Sequence, residues 1–178
     1  MELLSNAQDD EGKVIISFIC DAMLGRTARF LRLFGYDTLY SNTYSDSELL
    51  QIASDENRVL LTRDIELHRQ AVKSEIDSFL LSENTYIDRI TTLVLKNNLL
   101  LELEPNNSRC ATCNAKITPI PKEKVKGKIP EKTYAAFNQF WTCTNKSCGK
   151  IYYQGPHWVN ITKAYEEIMK SIKERKSK

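Results

Sequence analysis

The chain has 178 residues, of which 42% are hydrophobic and 27% charged, as in a soluble protein with one domain or one domain plus a small module. No apolar stretch approaches the roughly 20 residues of a membrane-spanning helix, and the sequence MELLSNAQDDEG lacks the features of a secretory signal. The net charge of +2 combines an acidic part, residues 1–100 with 10 Lys+Arg against 16 Asp+Glu, and a basic part, residues 101–178 with 15 against 7. We therefore expect a cytoplasmic protein with an acidic N-terminal tail, residues 1–12, and a second module whose basic surface either faces a polyanion or is simply solvated.

Strands and helices alternate over residues 13–104, which we predict to form the first domain. Its first strand contains VIISFIC, a run that is apolar on both alternating faces, as in the centre of a parallel sheet. Ser45 and Glu48 form an S-x-x-E capping box before the second helix, and Gly35 fits the end of the first helix. Predicted strands cover residues 13–20, 37–40, 58–62 and 78–81, and predicted helices cover residues 22–34, 45–55, 65–73 and 85–96. This alternation predicts an α/β three-layer sandwich with a parallel sheet.

Two close pairs of cysteines define the second region, residues 105–160. Paired thiolates on both sides of a long stretch are typical of a zinc ribbon, and so small a segment needs a metal because it buries little core. Asn114 and Gly149 each follow a cysteine and can take the positive φ that such turns require. The predicted zinc ligands are Cys110, Cys113, Cys143 and Cys148. We expect a structural zinc because four thiolates leave no open coordination position, although His157 could replace one cysteine.

Basic and aromatic side chains of the same region could bind nucleic acid. Phosphates favour the lysines, and bases can stack on the aromatic residues, although we favour packing within the ribbon for Tyr152 and Tyr153. The residues predicted to contact RNA here are Lys122, Lys124, Lys126, Lys128, His157 and Trp158. Residues 161–178 follow as a basic helix, which Asn160 can cap at its N-terminus.

Acidic residues stand at the carboxyl ends of the predicted strands, where open parallel sheets bind their ligands. Asp21 ends the first strand, Asp64 follows the third, and Asp46 and Glu48 open the helix after the second. Carboxylates that converge repel one another, and hard cations such as Mg²⁺ or Mn²⁺ relieve that repulsion, bridge phosphates and activate water. These four acids are therefore candidate catalytic residues, although Asp21 and Asp64 could act only as helix N-caps and Glu48 only in its capping box.

Arginines lie beside these acids in the sequence. Arg26, Arg29 and Arg32 are spaced along the first helix, and Arg63 directly precedes Asp64. Guanidinium groups in this position could hold an RNA backbone or pair with the acids, and the helix arginines could also form an ordinary solvent-exposed face.

The order of these motifs resembles one known family. FICDAMLGRTARFLRLFGYDTLY, SDSELLQIA, RVLLTRD, the CxxC followed by PIPKEKV, FWTC and IYYQGPHW occur in this order in the PIN-like ribonuclease domain with a zinc ribbon at the C-terminus of Mut-seven exonucleases, the Mut7-C RNase family. The resemblance implies a PIN-like three-layer α/β/α fold and metal-dependent cleavage of single-stranded RNA. It also implies that Asp21, Asp46 and Asp64 hold Mg²⁺ or Mn²⁺, that the arginines of the first helix bind RNA and that the four cysteines bind zinc.

One departure from PIN nucleases keeps two functions open. Those nucleases usually have four acids, and this chain offers three clear positions, with Glu48 or Glu83 as a candidate fourth. The protein is therefore either a Mg²⁺- or Mn²⁺-dependent endoribonuclease or a non-catalytic protein that binds RNA or the ribosome, with ribosomal or transfer RNA as candidate partners. A phospho-acceptor receiver domain also carries an aspartate after its first and third strands, but it needs an acid pair after the first, where Asp21 is followed by Ala22 and Met23.

Overall fold

The computed structural model describes residues 7–8 and 14–177. The predicted acidic tail, residues 1–12, lies outside the described residues apart from residues 7–8, as does Lys178 at the other end. None of the helices in the described residues is long and apolar enough to span a bilayer.

The first part of the chain alternates strands and helices as the sequence predicts. In chain order it contains β1 (Ala7–Gln8), β2 (Val14–Ile15), β3 (Ser17–Cys20), a 3-10 helix (Ala22–Leu24), α1 (Gly25–Leu33), β4 (Asp37–Tyr40), α2 (Asp46–Asp55), β5 (Val59–Thr62), α3 (Ile65–Lys73), β6 (Ser78–Leu80) and α4 (Tyr86–Asn97). Strands β1 and β2 form a separate antiparallel pair. The predicted first strand is therefore shorter than expected, and the predicted first helix begins as a 3-10 turn.

The central sheet is parallel, with the strand order β4-β3-β5-β6. Phe18 of β3 lies opposite Thr38 of β4 and Val59 of β5, so β3 is flanked by both neighbours. This pairing confirms the predicted α/β class with a parallel sheet. It also brings the carboxyl ends of β3 and β5 side by side, which is the condition for Asp21 and Asp64 to share one edge.

Helices cover both faces of this sheet because its side chains alternate between them. Phe18 and Cys20 of β3 point into a large apolar cluster that also takes side chains from α1 and α4. Ile19 points to the opposite face, where it joins a smaller cluster with residues of α2 and α3. The capping box of Ser45 and Glu48 is present at the start of α2, as predicted.

The second part, residues 105–155, is a small antiparallel sheet that carries the cysteines, and we call it the ribbon. It contains β7 (Ile117–Ile120), a 3-10 helix (Lys122–Val125), α5 (Glu131–Ala136), β8 (Phe140–Cys143) and β9 (Ile151–Tyr152), with β8 in the centre. Asn114 and Gly149 have the predicted positive φ, at +69° and +54°. Both turns thus adopt the backbone geometry that the sequence suggested for cysteine-bearing loops.

The final helix, α6 (Pro156–Lys176), returns to the first part of the chain. It starts earlier than predicted because Gly155 is its N-cap and Pro156 takes the first turn, so the expectation that Asn160 caps the helix is wrong. Its Ala164, Ile168 and Ile172 belong to the large apolar cluster that also contains residues of α1 and α4. The small sheet therefore lies between two segments that both pack on the parallel sheet's core.

Candidate nucleic-acid and metal sites

Asp21 is held rigidly at the carboxyl end of β3. The residue is only 5% exposed. The Oδ1 atom accepts a hydrogen bond from the amide of Met23 at 2.8 Å, which makes Asp21 the N-cap of the first 3-10 helix. The Oδ2 atom accepts from the hydroxyl of Thr62 at 2.6 Å and from the amide of Arg63 at 2.7 Å. Asp21 thus fixes the turn after β5 as well as its own.

The hydroxyl group of Thr62 connects the carboxylate of Asp21 to the backbone of Asp64. The Oγ1 atom of Thr62 donates to Asp21 and accepts from the amide of Asp64 at 2.9 Å. The Oδ1 atom of Asp64 caps α3 by accepting from the amides of Glu66 at 2.7 Å and Leu67 at 3.1 Å. Its Oδ2 atom has no partner among the described residues, and the side chain is exposed. Asp21 and Asp64 therefore share the sheet edge that the sequence predicted for them.

Asp46 and Glu48 lie on the first turn of α2, and both are exposed. Glu48 accepts hydrogen bonds from the amide and the hydroxyl of Ser45, at 2.8 Å and 2.7 Å. These bonds lower the pKa of Glu48, so its carboxylate is engaged in the capping box. Asp46 makes no side-chain hydrogen bond within the described residues.

The predicted acids do not gather tightly. Among the described residues, the one group of three or more His, Cys, Asp or Glu side chains with ligand atoms within 4.8 Å of one another consists of the four cysteines. The carboxylates of Asp21, Asp46 and Asp64 are thus near one edge without forming a compact cluster. Mg²⁺ commonly uses only one or two protein carboxylates and fills its other positions with water and phosphate, so Asp21 and Asp64 suit that donor set.

The four cysteines come together as predicted and could hold a metal ion. The sulfur atoms of Cys110 and Cys148 are 3.7 Å apart, and those of Cys113 and Cys143 are 3.4 Å apart. A tetrahedral site with Zn–S bonds of about 2.3 Å has sulfur atoms about 3.8 Å apart, which matches this spacing. His157 is not a member of the group, so the fully thiolate set is the one that the chain assembles.

Hydrogen bonds favour the thiolate form of Cys110. Burial acts to raise the pKa of this thiol, but the Tyr152 hydroxyl, 3.0 Å from the sulfur, and the amides of Cys113 and Thr112 outweigh it and lower the pKa to about 6. A thiolate near neutral pH is the form that binds a metal. Tyr152 is thereby placed in the ribbon and supports the interpretation that it packs there.

A network of polar contacts joins the ribbon to the parallel sheet. Arg32 is 4% exposed, and its guanidinium donates to the carbonyl of Thr38 at 2.8 Å and to those of Ala111 and Thr112 at 3.1 and 3.2 Å. Asn114 accepts from the amide of Thr38 at 3.0 Å. Arg32 is therefore a buried connection between α1 and the cysteine loop, and this placement does not fit the expectation that it contacts RNA.

A groove of about 630 Å³ lies between α1, the ribbon and the start of α6. Arg26 and Arg29, both exposed, form part of one wall, and His157 and Trp158 form part of the other. The Arg26 guanidinium lies 3.9 Å from the centre of the Tyr86 ring. The structure thus brings four of the predicted RNA-contacting residues to one concave surface.

The remaining predicted RNA-contacting residues lie elsewhere. None of Lys122, Lys124, Lys126 and Lys128 lines the groove. Lys122 donates to the Asn138 side chain at 2.8 Å, and the other three lysines are exposed. Arg63 lies at the carboxyl edge beside Asp21 and not in the groove.

Sequence reasoning missed several residues of these surfaces. Lys150 and Tyr86 line the groove, and Arg89 lies buried near the carboxyl edge. A lysine between two strands and an arginine inside a helix look like ordinary surface residues when only their spacing is known. The cation–π contact of Tyr86 and the burial of Arg89 are set by tertiary packing, so no local pattern could have revealed them.

Comparison with known proteins identifies the family. The family model named Mut7-C RNAse domain matches residues 16–165 of the chain. Neither the curated proteins nor the solved structures gave a match. The matched range includes the parallel sheet, the cysteine cluster and all of the residues that line the groove. The chain therefore belongs to the Mut7-C RNAse domain family, and its function is nuclease-like and related to RNA.

Proposed function

We propose that the protein is a metal-dependent endoribonuclease with a PIN-like fold that cleaves single-stranded RNA, and that a structural zinc holds its ribbon. The groove between α1, the ribbon and α6 carries this proposal, because it offers cations and aromatic rings together. Cationic grooves with aromatic side chains are the usual means of binding single strands.

The groove suits a short stretch of an RNA strand. Its volume of about 630 Å³ is within the range of small-ligand pockets. Arg26, Arg29 and Lys150 supply exposed positive charges for phosphates, and the half-buried rings of Tyr153 and Trp158 supply surfaces for stacking. Duplexes offer no unstacked bases, so this combination favours single strands.

Two residues of the groove lie close in the chain to acids at the carboxyl edge of the parallel sheet. Arg26 is five residues after Asp21, and Tyr86, which Arg26 covers, is three residues after Glu83. A strand bound in the groove could therefore continue past Asp21 and Asp64. The substrate-binding surface and the acids would then act on the same molecule.

Asp21 and Asp64 are the residues that would hold a catalytic Mg²⁺ or Mn²⁺ ion, with Asp46 as a third acid on the neighbouring helix. Such a cation makes water more acidic and stabilises the negative charge that develops on the leaving oxygen. Asp21 is kept in place by its three hydrogen bonds, while Asp64 keeps one oxygen free for a ligand within the described residues. The arginines of the groove would hold the rest of the RNA strand in position with respect to these acids.

The Asp64→Asn substitution tests this assignment. Asparagine is as good an N-cap as aspartate, so the variant keeps the start of α3 but loses the charge. We expect cleavage of an oligouridine with Mg²⁺ or Mn²⁺ to fall by about 100-fold or more, as when an essential charged group is removed. Asp21→Asn should abolish cleavage as well.

Asp55→Asn is the matched control, because Asp55 is exposed at the end of α2, away from the carboxyl edge. It should cleave as fast as the unmodified protein, and loss of cleavage in Asp64→Asn purified in the same way would then exclude a contaminating nuclease as the source of activity. Unchanged cleavage in both the Asp21 and Asp64 variants would refute the catalytic assignment.

A second candidate is an RNA-binding protein that does not cleave. The absence of a compact acid cluster in the described residues favours it, because a site with two metal ions needs several converging carboxylates. In that case the purified protein binds oligouridine through Arg26 and Arg29 and leaves it intact at every divalent-ion concentration. Turnover that Asp64→Asn removes would exclude this candidate.

A further inference from the structure

A pair of arginines at the carboxyl edge has no role in the binding groove. Arg63 follows β5, and its amide donates to Asp21. Its side chain makes no hydrogen bond within the described residues, and its Nε atom is buried without a partner. A buried N–H group without an acceptor is unfavourable, so this donor is positioned for an acceptor that is not among the described residues.

Arg89 is the second member of the pair and is fixed more firmly. It is 7% exposed and lies on α4. Its Nε atom donates to the carbonyl of Glu83 at 2.8 Å and its Nη2 atom to that of Asn84 at 3.0 Å. The third nitrogen, Nη1, has no partner within the described residues. The loop between β6 and α4 thus holds this guanidinium in one orientation.

The two guanidinium groups lie within electrostatic reach of each other and of Asp21. Burial lowers the pKa of Arg89 most, and the positive charge of Arg63 lowers it further, while Glu83 and Asp21 act in the opposite direction. The neighbouring Glu83 has a buried Oε2 atom that bonds to nothing in the described part of the chain. No side-chain ion pair within the described residues involves Arg63 or Arg89, in contrast to Arg58, which is paired with Asp37 and Glu56.

We propose that Arg63 and Arg89 bind the phosphate at the point of cleavage and hold it beside Asp21. This inference rests on the proposed function and extends it, since it separates a phosphate site at the carboxyl edge from the strand-binding groove. Guanidinium groups bind phosphate oxygens in a bidentate manner, and two of them can neutralise the charge that develops during cleavage. The negative charge of Glu83 partly offsets the positive charge of Arg89 without a hydrogen bond between the two side chains in the described residues.

The test begins with binding, so that it does not depend on catalysis. Arg63→Gln and the control Arg69→Gln each remove one positive charge, and the Arg69 side chain is 73% exposed on α3. The amide that supports Asp21 stays in both variants. The probe is an oligouridine of about 12 nucleotides, without added Mg²⁺ or Mn²⁺, titrated over a series of salt concentrations.

We expect Arg63→Gln to reduce the slope of log K against log salt by about 0.7, the value for one lost phosphate contact on a single strand. Arg63→Lys should keep most of that slope, and Arg69→Gln should leave it unchanged. An unchanged slope in Arg63→Gln overturns the proposal. In particular, if Arg63→Gln and Glu83→Gln only lower thermal stability, the two residues form an internal ion pair and nothing more.

Cleavage provides the second readout. In single-turnover reactions Arg63→Gln and Arg89→Lys should slow cleavage by about 100-fold, while affinity for the oligouridine falls only several-fold. Equal losses in rate and affinity would place both residues in ordinary strand binding and overturn the proposal. If the unmodified protein binds with the expected slopes but never cleaves, the proposed ribonuclease function fails while the phosphate site stands.

Discussion

The parallel sheet and the ribbon are stabilised in different ways. The two apolar clusters of the sheet contain 19 and 6 buried residues, whereas the ribbon's own cluster contains four, two of which are Cys110 and Cys143. Apolar burial can stabilise the first part by itself. The ribbon buries less, and its four cysteines could hold a metal ion whose bonds to the thiolates would stabilise it. The comparison teaches that one short chain can combine a domain with a large apolar core and a small module whose cysteines are arranged for a metal ion.

Two cysteines show this difference within a single residue type. Cys20 lies in the sheet and is fully buried, and burial, followed by the charge of Asp21, raises its thiol pKa far above the ordinary value. In Cys110 the hydrogen bonds of the ribbon lower the pKa to about 6. Cys20 therefore behaves as a small apolar side chain, whereas Cys110 favours the thiolate form, which is the form that binds metals.

Removal of metal should produce the largest difference in stability between the ribbon and the parallel-sheet part. Structural zinc contributes about 10 kcal/mol or more to the folding of small modules, so a chelator or Cys113→Ser should unfold the ribbon. Hydrogen exchange should then become fast at β7 and β8 and stay slow at β5. Metal analysis of the untreated protein gives the companion measurement, with one zinc per chain expected.

Cys20→Ser is the control for this experiment, because it removes a thiol that lies outside the cysteine group. It should retain the full zinc content. Equal protection of β7 and β8 with and without the chelator would show that apolar packing alone holds the ribbon.

Leu31→Ala should destabilise the sheet part without affecting zinc. Leu31 is fully buried, and its truncation should cost about 3 kcal/mol in the free energy of unfolding because it leaves a cavity. Leu100→Ala is the matched control, since Leu100 is 64% exposed and should change stability by less than about 0.5 kcal/mol. Urea unfolding followed by circular dichroism measures both, and similar losses in the two variants would contradict the assigned core.

Arg32→Gln tests the connection between the two parts. Loss of the guanidinium leaves the carbonyls of Ala111 and Thr112 without their donor, which should cost about 1–3 kcal/mol. Arg29→Gln, on the exposed side of the same helix, should cost much less. Thermal unfolding should rank the variants in this order, and an Arg29 variant as unstable as the Arg32 variant would disprove the connection.

Acid should weaken the same connection through Asp37, with the smallest effect of the four. Burial acts to raise the pKa of Asp37, but hydrogen bonds from Arg58 and Asn114 outweigh it, so the pKa in the folded protein is below its ordinary value. The stability that this carboxylate contributes is therefore complete above the unfolded pKa of about 4 and is lost as the pH falls through the folded value.

Asp37→Asn should remove this pH dependence at a cost of about 1 kcal/mol, because the pair is partly exposed to solvent. The free energy of unfolding, measured between neutral pH and pH of about 3, should fall less steeply in the variant. Parallel pH profiles for the two proteins would show that Asp37 does not supply the acid sensitivity.

Local signals in the sequence predicted the elements well. The apolar run before Asp21, the Ser45–Glu48 capping box and the two cysteine pairs each encode geometry within a few residues, and each is found in the structure. The edge shared by Asp21 and Asp64 could also be expected, because parallel strands present their carboxyl ends together.

Burial and long-range contacts could not be predicted in the same way. Arg26, Arg29 and Arg32 follow the same helical spacing, yet Arg32 alone turns inward, to carbonyls about 80 residues away in the chain. Arg89 looks like a solvent residue until the loop after β6 encloses it. The groove depends on the position of α6. The sequence predicts that this helix begins after Asn160, whereas it begins at Pro156 with Gly155 as its N-cap.

The return of α6 to the core makes the ribbon an insertion tethered at both ends. Ala164, Ile168 and Ile172 belong to the large apolar cluster together with residues of α4, so shortening the chain from its C-terminus would expose that cluster before it freed the ribbon. Proteolysis in the loops around the cysteines should accordingly leave two fragments that stay associated. The ribbon could be exchanged for a related one only as an internal cassette, with both junctions and the returning helix retained.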